Sequence, residues 1–309
     1  MIYKIKNINL ALTNRCNLKC LMCDIWKEKD KVEISKNIIK KIFESEYADN
    51  NLEIALTGGE PFLYNNLSEI TTLILERDPS SLRTITTNGA LTNNILNYLN
   101  DFHKKLSKMF SLNISLDGIE KHDYQRGTKS FNKIIQTINC VKDQFPLINL
   151  KVKFTITPTN YEEIISVFNY CRENNLDFRV KIVEHAKNYT NKLNPEIINF
   201  TKDIKQKIVQ DLSLIYKQKI KFDTKDAEFI LKTSKFLLNQ LEPSYCKTPF
   251  QRIFIMPNED VYSCAHYSKI GNLNKNILDN IWMSKKSKSI RKNIENNLCN
   301  KCVSYHGFQ

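Results

Sequence analysis

The segment LTNRCNLKCLMCDIW, residues 12–26, places three cysteines in one short loop. Cys16, Cys20 and Cys23 follow the spacing C-x3-C-x2-C, and no fourth cysteine stands nearby in the sequence. A structural zinc ion takes four ligands, and an ordinary iron–sulfur cluster takes four thiolates. The loop supplies only three cysteines, so the fourth ligand of such a metal site would have to come from outside the loop.

The composition is that of a globular chain that could form one large domain or a domain with an appendage. It has 309 residues, of which 41% are hydrophobic and 26% charged. No stretch approaches the roughly 18 apolar residues of a membrane span, and the start, MIYKIKNINLALT, alternates rather than resembling a signal peptide. We therefore expect a cytoplasmic protein without a membrane partner, in which thiols stay reduced and clustered cysteines bind metal.

The formal net charge of +13 admits a phosphate-bearing or nucleic-acid substrate. However, lysine is spread along the chain together with Asn and Ile, and no Lys/Arg stripe with interleaved aromatic residues is visible. We interpret the excess charge as a solvated surface and expect no nucleic-acid partner.

Short runs rich in Ile, Val, Leu and Thr alternate with stretches of helical period along the first 185 residues. Such alternation predicts parallel strands joined by right-handed crossovers. Six units fit, whereas a closed barrel of eight needs about 250 residues. We therefore predict an α/β fold, a partial (β/α)6 open TIM-like barrel with its chemistry at the carboxyl ends of the strands. The predicted strands are 7–13, 52–57, 82–87, 111–116, 149–157 and 178–184; the predicted helices are 35–48 with Ser35 as N-cap, 66–78, 93–106, 131–145 and 161–174.

Polar motifs that contain glycine stand at or near the ends of these strands. The chain has only seven glycines, and most of them lie in LTGGEP (56–61), TTNG (86–89), ISLDG (114–118) and HDYQRG (122–127). Together with CNLKCLMC (16–23), these motifs resemble the radical S-adenosylmethionine (radical SAM) superfamily over residues 8–127. The resemblance implies reductive cleavage of S-adenosylmethionine (SAM) to a 5′-deoxyadenosyl radical that abstracts hydrogen from a substrate.

The resemblance also implies roles for individual residues. The three loop cysteines would bind three irons of a [4Fe–4S] cluster, and SAM would bind the fourth iron. The implied cofactor-binding residues are Gly58, Gly59 and Glu60 for the SAM amino group, Asn88, Ser115 and Asp117 for contacts that are often to its ribose, and Arg126 for its carboxylate. A carboxylate suits an ammonium group, and the planar fork of arginine suits a carboxylate.

Each of these roles has a structural alternative. Asn88 and Asp117 each precede a glycine and could be turn formers, and Arg126 could form an ordinary surface ion pair. The chain also departs from the family at Met22, where relatives usually have an aromatic residue that packs on adenine. The family's glycine-containing adenine-contact motif is not visible in NLKVKFTITPTN (149–160), which leaves the adenine contacts open.

The last part of the chain carries a second set of four cysteines. Cys246, Cys264, Cys299 and Cys302 are spaced C-x17-C-x34-C-x2-C around IGNL (270–273) and ILDNIW (277–282). This pattern resembles the SPASM extension or its shorter Twitch form, which implies a second, auxiliary [4Fe–4S] cluster with four protein ligands. A four-cysteine zinc site is the alternative. We therefore divide the chain into a barrel (1–185), a helical connection (186–245) and an auxiliary-cluster domain (246–309).

The substrate is not defined by these motifs. An auxiliary cluster with four protein ligands suits electron transfer, so the resemblance implies oxidation or crosslinking of a ribosomal peptide or of a small alcohol, sugar or nucleotide derivative. A donor such as flavodoxin or ferredoxin would supply electrons. Glu184 and His185, after the sixth strand, are candidates for holding substrate or moving a proton, whereas Cys140 and Cys171 are interpreted as structural. The alternative function is a non-catalytic iron–sulfur or zinc scaffold.

Overall fold

One continuous nine-stranded sheet organises the described chain, in the strand order β6-β5-β4-β3-β2-β1-β7-β8-β9. The structure is a computed structural model that describes residues 3–184, 186, 195–297, 299 and 302–303. The strands are β1 Ile5–Ala11, β2 Ala48–Thr57, β3 Leu82–Thr87, β4 Ser111–Ser115, β5 Asn149–Ile156, β6 Asp177–Ile182, β7 Arg252–Ile255, β8 Asp260–Tyr262 and β9 Gly271–Asn272.

Helices connect the parallel strands and form most of the chain after β6. They are α1 Ile38–Phe43, α2 Leu67–Arg77, α3 Thr92–Phe102, α4 His122–Arg126, α5 Phe131–Gln144, α6 Ile164–Glu173, α7 Pro195–Ile198, α8 Lys202–Lys219, α9 Thr224–Leu237, α10 Thr248–Gln251, α11 Leu278–Trp282 and α12 Lys285–Asn296. Three short 3-10 helices lie at Ile25–Lys27, Pro61–Leu63 and Tyr161–Glu163.

Strands β1–β6 all pair in parallel with their neighbours, and a helical crossover separates each from the next. This arrangement confirms the predicted partial barrel of six strand–helix units. Strand β7 extends the sheet by pairing in parallel with β1, and β7, β8 and β9 then form an antiparallel meander. The C-terminal segment therefore continues the sheet of the barrel.

The two faces of the sheet have opposite character, which the alternation along β5 illustrates. Val152, Phe154 and Ile156 are buried against the helical layer, whereas Lys153 and Thr155 point to the concave face and are only partly buried. Parallel sheets usually bury both faces, so a polar concave face marks a lumen that accepts polar molecules. We call this concave, polar surface the lumen.

The helices α8 and α9 cover the open edge of the sheet at β6. Lys219, the last residue of α8, donates to the free carbonyl of Phe178 and pairs with Asp226 of α9 at 2.5 Å. Asp226 also pairs with Arg179 of β6 at 2.9 Å. Unpaired strand edges invite association with other chains, and this charged cover prevents it here.

Two local predictions were wrong. Ser35 does not cap α1, which begins only at Ile38; its hydroxyl instead accepts from the amide of Asn37 in a local turn. Within the predicted helical connection, the pattern of residues 195–218 predicts one helix. The structure breaks it into α7 and α8, because Thr201 caps α8 by accepting from the amide of Ile204.

Candidate active site

The three-cysteine loop leaves the carboxyl end of β1 and is held from two sides. On one side Asn14 exchanges hydrogen bonds with Val32, at 3.1 and 2.8 Å. On the other side the amides of Lys19 and Leu21 donate to backbone carbonyls of the α4 segment, at 3.1 and 3.0 Å. These contacts fix the loop backbone before any metal binds.

The loop thiols are chemically suited to soft metal ions. Burial raises the pKa of Cys16 to about 12 and that of Cys23 to about 11, and each pKa is raised further by the neighbouring charge of Cys20. The thiols therefore bind protons in the metal-free chain, and metal binding must displace these protons. Among the described residues, no three His, Cys, Asp or Glu side chains are placed to hold a single metal ion.

The glycine pair after β2 packs directly on the beginning of the cysteine loop. The amide of Gly59 donates to Thr13 O at 2.6 Å, and that of Glu60 donates to Arg15 O at 2.8 Å. A β-carbon on Gly59 would lie 2.1 Å from the carbonyl oxygen of Arg15, and Gly58 has a φ of +142°. Only glycine allows this approach, so the GGEP motif clamps the loop through its backbone.

Glu60 is fully buried and its carboxylate is already used by the chain. It accepts hydrogen bonds from the hydroxyl of Thr87 at 2.7 Å and from the amides of Phe62 and Asn88 at 3.1 and 2.8 Å. Burial raises its pKa to about 7 against these donors. Glu60 therefore joins the ends of β2 and β3, and its contact with SAM stays a prediction.

Asn88 and Ser115 lie at the ends of β3 and β4. The side-chain amide of Asn88 donates to Asn17 Oδ1 at 2.8 Å and lies 4.0 Å from Cys16 Sγ, which brings it to the cysteine loop. Ser115 is partly buried, and its register partner on β5 is Lys153. The structure thus brings Asn88 to the loop and Ser115 to the upper lumen, without showing what they bind.

Asp117 and Arg126 form a buried ion pair, with Arg126 Nη2 2.6 Å from Asp117 Oδ2. Asp117 also accepts from the amide of Thr155 at 2.7 Å, and burial raises its pKa while Arg126 opposes that rise. Arg126 Nη1 lies 3.6 Å from Cys20 Sγ, so its positive charge faces the cysteine loop. The surface ion pair considered for Arg126 is thus a buried one, and Asp117 is fully enclosed by protein.

A donor near the cysteine loop has no acceptor among the described residues. Arg126 Nε is buried without a hydrogen-bond partner there, although the rest of the guanidinium pairs with Asp117. An unpaired buried donor costs about 1–3 kcal/mol, and an anionic ligand would relieve that cost. Together with the soft thiols of the loop, this donor fits a cluster that binds a ligand carrying a carboxylate.

Sequence analysis missed the polar turn that follows β5. Thr157 and Asn160 are fully buried; Asn160 donates to Asp117 O at 2.9 Å, and Thr157 donates to Gln125 Oε1 at 3.3 Å. Gln125 in turn lies 3.5 Å from Met22 Sδ, beside the third cysteine. The sequence TPTN (157–160) ends a strand as the other motifs do, and this position was the signal that could have found it.

The four C-terminal cysteines lie within electrostatic range of one another although 56 positions separate the first from the last. Burial raises the pKa of Cys264 to about 11, and charge on Cys246 and Cys299 raises it further. Burial also raises the pKa of Cys302, and charge on the other three cysteines raises it further. A two-residue bridge between Ser244 and Cys299, with hydrogen bonds of 3.2 and 2.9 Å, holds the two ends of this segment together. The C-terminal segment thus brings soft ligands close enough to influence one another electrostatically.

Glu184 lies beside this second cysteine set. Its charge contributes to the raised pKa of both Cys264 and Cys302, and its side chain is 13% exposed. One carboxylate oxygen pairs with Lys181 at 3.2 Å, and the other is buried with no hydrogen-bond partner among the described residues. Its sequence neighbour His185 lies outside the described residues.

The two cysteine sets lie at opposite ends of two neighbouring strands. The first loop follows the carboxyl end of β1, whereas Cys246 precedes β7 and Cys264 follows β8, which runs antiparallel to β7. Asn7 of β1 is level with Arg252 at the amino end of β7. At about 3.3 Å per residue, the strands separate the two sets by on the order of 15 Å. The lumen lies between them.

The protein has an open α/β barrel, a three-cysteine loop and a four-cysteine C-terminal segment. These features together are typical of iron–sulfur enzymes whose chemistry takes place in the lumen of a barrel. A family model described as the radical SAM superfamily matches residues 10–185, and one described as an iron–sulfur cluster-binding domain, SPASM, matches residues 246–303. The chain belongs to the radical SAM superfamily and carries a C-terminal SPASM domain. Its cofactors are accordingly SAM, the [4Fe–4S] cluster that binds SAM, and an auxiliary iron–sulfur cluster.

Individual relatives are distant. A probable GTP 3′,8-cyclase of Methanococcus maripaludis (strain C5) is 25% identical over 86% of this chain and 81% of its own length. The molybdenum cofactor biosynthesis protein moc-5 of Caenorhabditis elegans is 26% identical over 56% of this chain, but this chain spans only 29% of that protein.

Solved structures share the fold at low sequence identity. Streptococcus suis SuiB bound to S-adenosylmethionine is 19% identical with a TM-score of 0.67, covering 94% of this chain and 68% of that one. The anSMEcpe structure with bound AdoMet is 17% identical with a TM-score of 0.65, covering 93% and 82%. Among the described residues, no helix is long and apolar enough to cross a membrane. The predicted domain boundaries at 185/186 and 245/246 stay predictions.

Proposed function

We propose that this chain removes a hydrogen atom from a substrate carbon in the lumen and completes an oxidation or crosslinking with help from its C-terminal segment. The observation that carries the proposal is the placement of two cysteine sets on opposite sides of the polar lumen. When bound, an open-site [4Fe–4S] cluster with SAM supplies a 5′-deoxyadenosyl radical as the hydrogen acceptor. A substrate in the lumen would lie between the two cysteine sets.

The residues of the first site have distinct proposed roles. Cys16, Cys20 and Cys23 hold the cluster, and Arg126 keeps a positive charge next to Cys20 while offering its unpaired Nε to the SAM carboxylate. The backbone of Gly58–Glu60 clamps the loop and presents carbonyl groups to the SAM amino group. Asn88 and Ser115 line the pocket, whereas Asp117 acts by holding Arg126 in place.

The residues of the second site complete the electron and proton balance. Loss of a hydrogen atom leaves one unpaired electron on the substrate, and loss of one further electron and one proton gives a product oxidised by two electrons. Cys246, Cys264, Cys299 and Cys302 would hold a four-iron cluster that accepts this electron. The unpaired oxygen of Glu184 lies nearby and is the candidate for holding the substrate or receiving its proton.

Two substrate classes remain from the sequence, and the comparisons support each in part. SuiB has also been solved bound to the precursor peptide SuiA, which supports a ribosomal peptide as the substrate class. Relatives named as probable GTP 3′,8-cyclases support a small nucleotide derivative. At 18% identity the likeness to SuiB is one of fold alone. The side chains that line the lumen therefore have to decide between the two substrate classes.

The test of the proposed function is release of 5′-deoxyadenosine from SAM by anaerobically reconstituted, dithionite-reduced protein. We expect release by the wild type and none by a Cys16/Cys20/Cys23→Ala variant. Cys299→Ala should still release some 5′-deoxyadenosine but should not turn over substrate, because only the second cysteine set is changed. Absence of release from iron-replete wild type, with or without candidate substrates, would favour the non-catalytic scaffold.

Electron supply is part of the same proposal. A reduced flavodoxin or ferredoxin should replace dithionite in the release assay, since reductive cleavage consumes one electron for each SAM. Failure of both proteins, with dithionite still active, would exclude these donors.

A further inference from the structure

Two cations in the lumen have no ion-pair partner among the described residues. Lys153, on β5, donates only to the hydroxyl of Thr86 at 3.3 Å. The side chain of Arg252, at the start of β7, makes no hydrogen bond or ion pair to a described residue, and its Nε is buried. Both side chains are partly buried, and a cation withdrawn from water without a counter-charge is costly, so an anion that the described chain does not supply is expected in the lumen.

Both cations lie on the lumen face of the sheet. Lys153 alternates with the buried Val152 and Phe154 on β5, and Arg252 precedes the buried Ile253 on β7. The charge of Arg252 also contributes to lowering the pKa of Lys153, which burial and three other cations bring down to about 8. Both positive charges therefore act in the same polar lumen.

Two carboxylates on the same face, Asp177 and Glu53, are already paired. Asp177 pairs with Lys151 at 3.4 Å and with Arg179 at 2.7 Å. Glu53, which is the carboxylate that acts on Arg252, pairs with Arg83 at 3.2 Å and accepts from Asn7 at 2.7 Å. The pairing leaves Lys153 and Arg252 as two positive charges without a matching negative charge.

Lys153 and Arg252 lie where a substrate in the lumen could contact both of them. Lys153 is level with Ser115 at the carboxyl end of β4, the end of the sheet from which the cysteine loop leaves β1. Arg252 interacts electrostatically with Cys246 of the second cysteine set. A molecule held by both side chains would lie in the lumen between the two sets. An arginine fork beside a lysine point charge is a combination that suits phosphate.

We propose that Lys153 and Arg252 bind the phosphate group of a small phosphorylated substrate in the lumen. Two unmatched positive charges correspond to a phosphate monoester dianion or to two adjacent phosphates of a nucleotide. This inference rests on the proposed function, because it takes the lumen as the substrate site. It selects the small-molecule class over the peptide class.

The test measures binding without turnover. Reconstituted protein with both clusters and SAM, kept oxidised so that SAM is not cleaved, is titrated calorimetrically with inorganic phosphate, pyrophosphate and a nucleoside triphosphate. Acetate and glutarate serve as carboxylate probes. We expect the polyphosphates to bind and the carboxylates not to. K153M and R252Q should each weaken polyphosphate binding at least about tenfold, since each removes a charge-assisted hydrogen bond.

Two controls keep the result interpretable. K133M changes an exposed lysine on α5 and should bind the probes as the wild type does, whereas K153R keeps the charge and should retain binding. R252Q tests the proposal independently if K153M does not fold. Equal binding by wild type and the folded variants, no polyphosphate binding, or binding of carboxylates only would each overturn the proposal.

The same samples separate this inference from the proposed function. Release of 5′-deoxyadenosine on reduction, without polyphosphate binding to the oxidised protein, would leave the radical chemistry intact and reject the phosphate site. Polyphosphate binding without release of 5′-deoxyadenosine would support the site and reject the proposed chemistry. If Arg252 only balances the charge of the auxiliary cluster, the cluster-loaded wild type will bind no phosphate, which also rejects the proposal.

Discussion

Gly59 stands where a side chain has no room, because the cysteine loop packs directly on its backbone. In Gly59→Ala the new β-carbon would meet the carbonyl oxygen of Arg15, a backbone atom that cannot rotate away. We expect the loop to move, the iron content of reconstituted protein to fall by about half, and SAM cleavage to be lost. The cost in stability should be about 1–3 kcal/mol, as for other overpacked sites. Iron analysis, the 5′-deoxyadenosine assay and thermal unfolding measure these effects.

Gly271→Ala is the matched control. Its β-carbon would lie 2.7 Å from Cγ1 of Ile281, a side-chain atom that can shift, and Gly271 is remote in sequence from the cysteine loop. We expect this variant to be mildly less stable but to keep its first cluster and SAM cleavage. If Gly59→Ala behaved like Gly271→Ala, the loop would not depend on the glycine pair.

His122 makes stability depend on pH from within the site. It is fully buried, Nδ1 accepts from the amide of Asp117 at 3.1 Å, and burial together with Arg126 lowers its pKa to about 3. The unfolded chain binds a proton below about pH 6.5, whereas the folded chain does not, so stability falls as pH drops from about 6.5 towards 3. Between pH 6.5 and 5 this loss amounts to about 2 kcal/mol.

The measurement is urea unfolding of the cluster-free chain at several pH values, for wild type and for His122→Gln. Glutamine keeps an acceptor for the amide of Asp117 but does not titrate. We therefore expect the variant to lose about 2 kcal/mol less than the wild type between pH 6.5 and 5. Parallel curves for the two proteins would show that folding does not change the pKa of His122, which would contradict this prediction.

At the scale of elements, the helices α8 and α9 depend on one buried carboxylate. Asp226 in the first turn of α9 is 1% exposed and pairs with both Arg179 and Lys219. Asp226→Asn removes the charge but keeps the shape. Arg179 then keeps Asp177 and Asp223 as partners, and Lys219 keeps Asp177. We expect a loss of about 1–3 kcal/mol in unfolding free energy, because each cation loses one charge-assisted hydrogen bond of a network that stays in place.

The control for this prediction is Asp203→Asn. Asp203 also lies in the first turn of its helix, α8, but it is exposed, so only its interaction with the helix dipole is lost. That loss should be below about 1 kcal/mol. Urea unfolding compares the two variants, and equal effects would mean that the charged cover on β6 contributes little.

Local sequence patterns predicted the strands and helices. They could not predict the contacts between these elements. The alternation of Val152, Lys153 and Phe154 is enough to place β5 and to separate its two faces. The helix break before α8 was missed because Thr201 lies inside an otherwise helical pattern, and only its cap shows that the helix starts again. Strand boundaries shifted by a few residues; β1 for example is Ile5–Ala11 rather than 7–13.

The candidate site shows the same limit. The motifs named the right strand ends, but the pairing of Asp117 with Arg126 depends on how the chain folds back between them. The electrostatic effect of Arg252 on Lys153, and that of Glu184 on Cys302 across 118 positions, depend on how distant strands and loops come together in the fold. Such long-range interactions leave no periodic signal in one sequence.

At the scale of the whole molecule, the C-terminal segment and the barrel share one sheet. Strand β7 pairs with β1, and the indole of Trp282 in α11 donates to Tyr3 O at 2.8 Å. Removing residues 246–309 would expose the edge of β1, where an unpaired strand invites aggregation. The two cluster sites therefore belong to one folding unit, although their metal centres use separate cysteines.

Because the cysteines are separate, the iron content should divide between the two sites. Wild-type protein reconstituted anaerobically should hold about eight irons, from two four-iron clusters. Removing either cysteine set, with Cys16/Cys20/Cys23→Ala or with Cys299→Ala, should leave about four, since the other set lies at the far end of β1 and β7. Cys140→Ala is the control and should keep about eight, because this cysteine lies on α5 and belongs to neither set. About four irons with one zinc in the wild type would show that the C-terminal cysteines hold zinc, and loss of all iron from Cys299→Ala would show that the two centres assemble together.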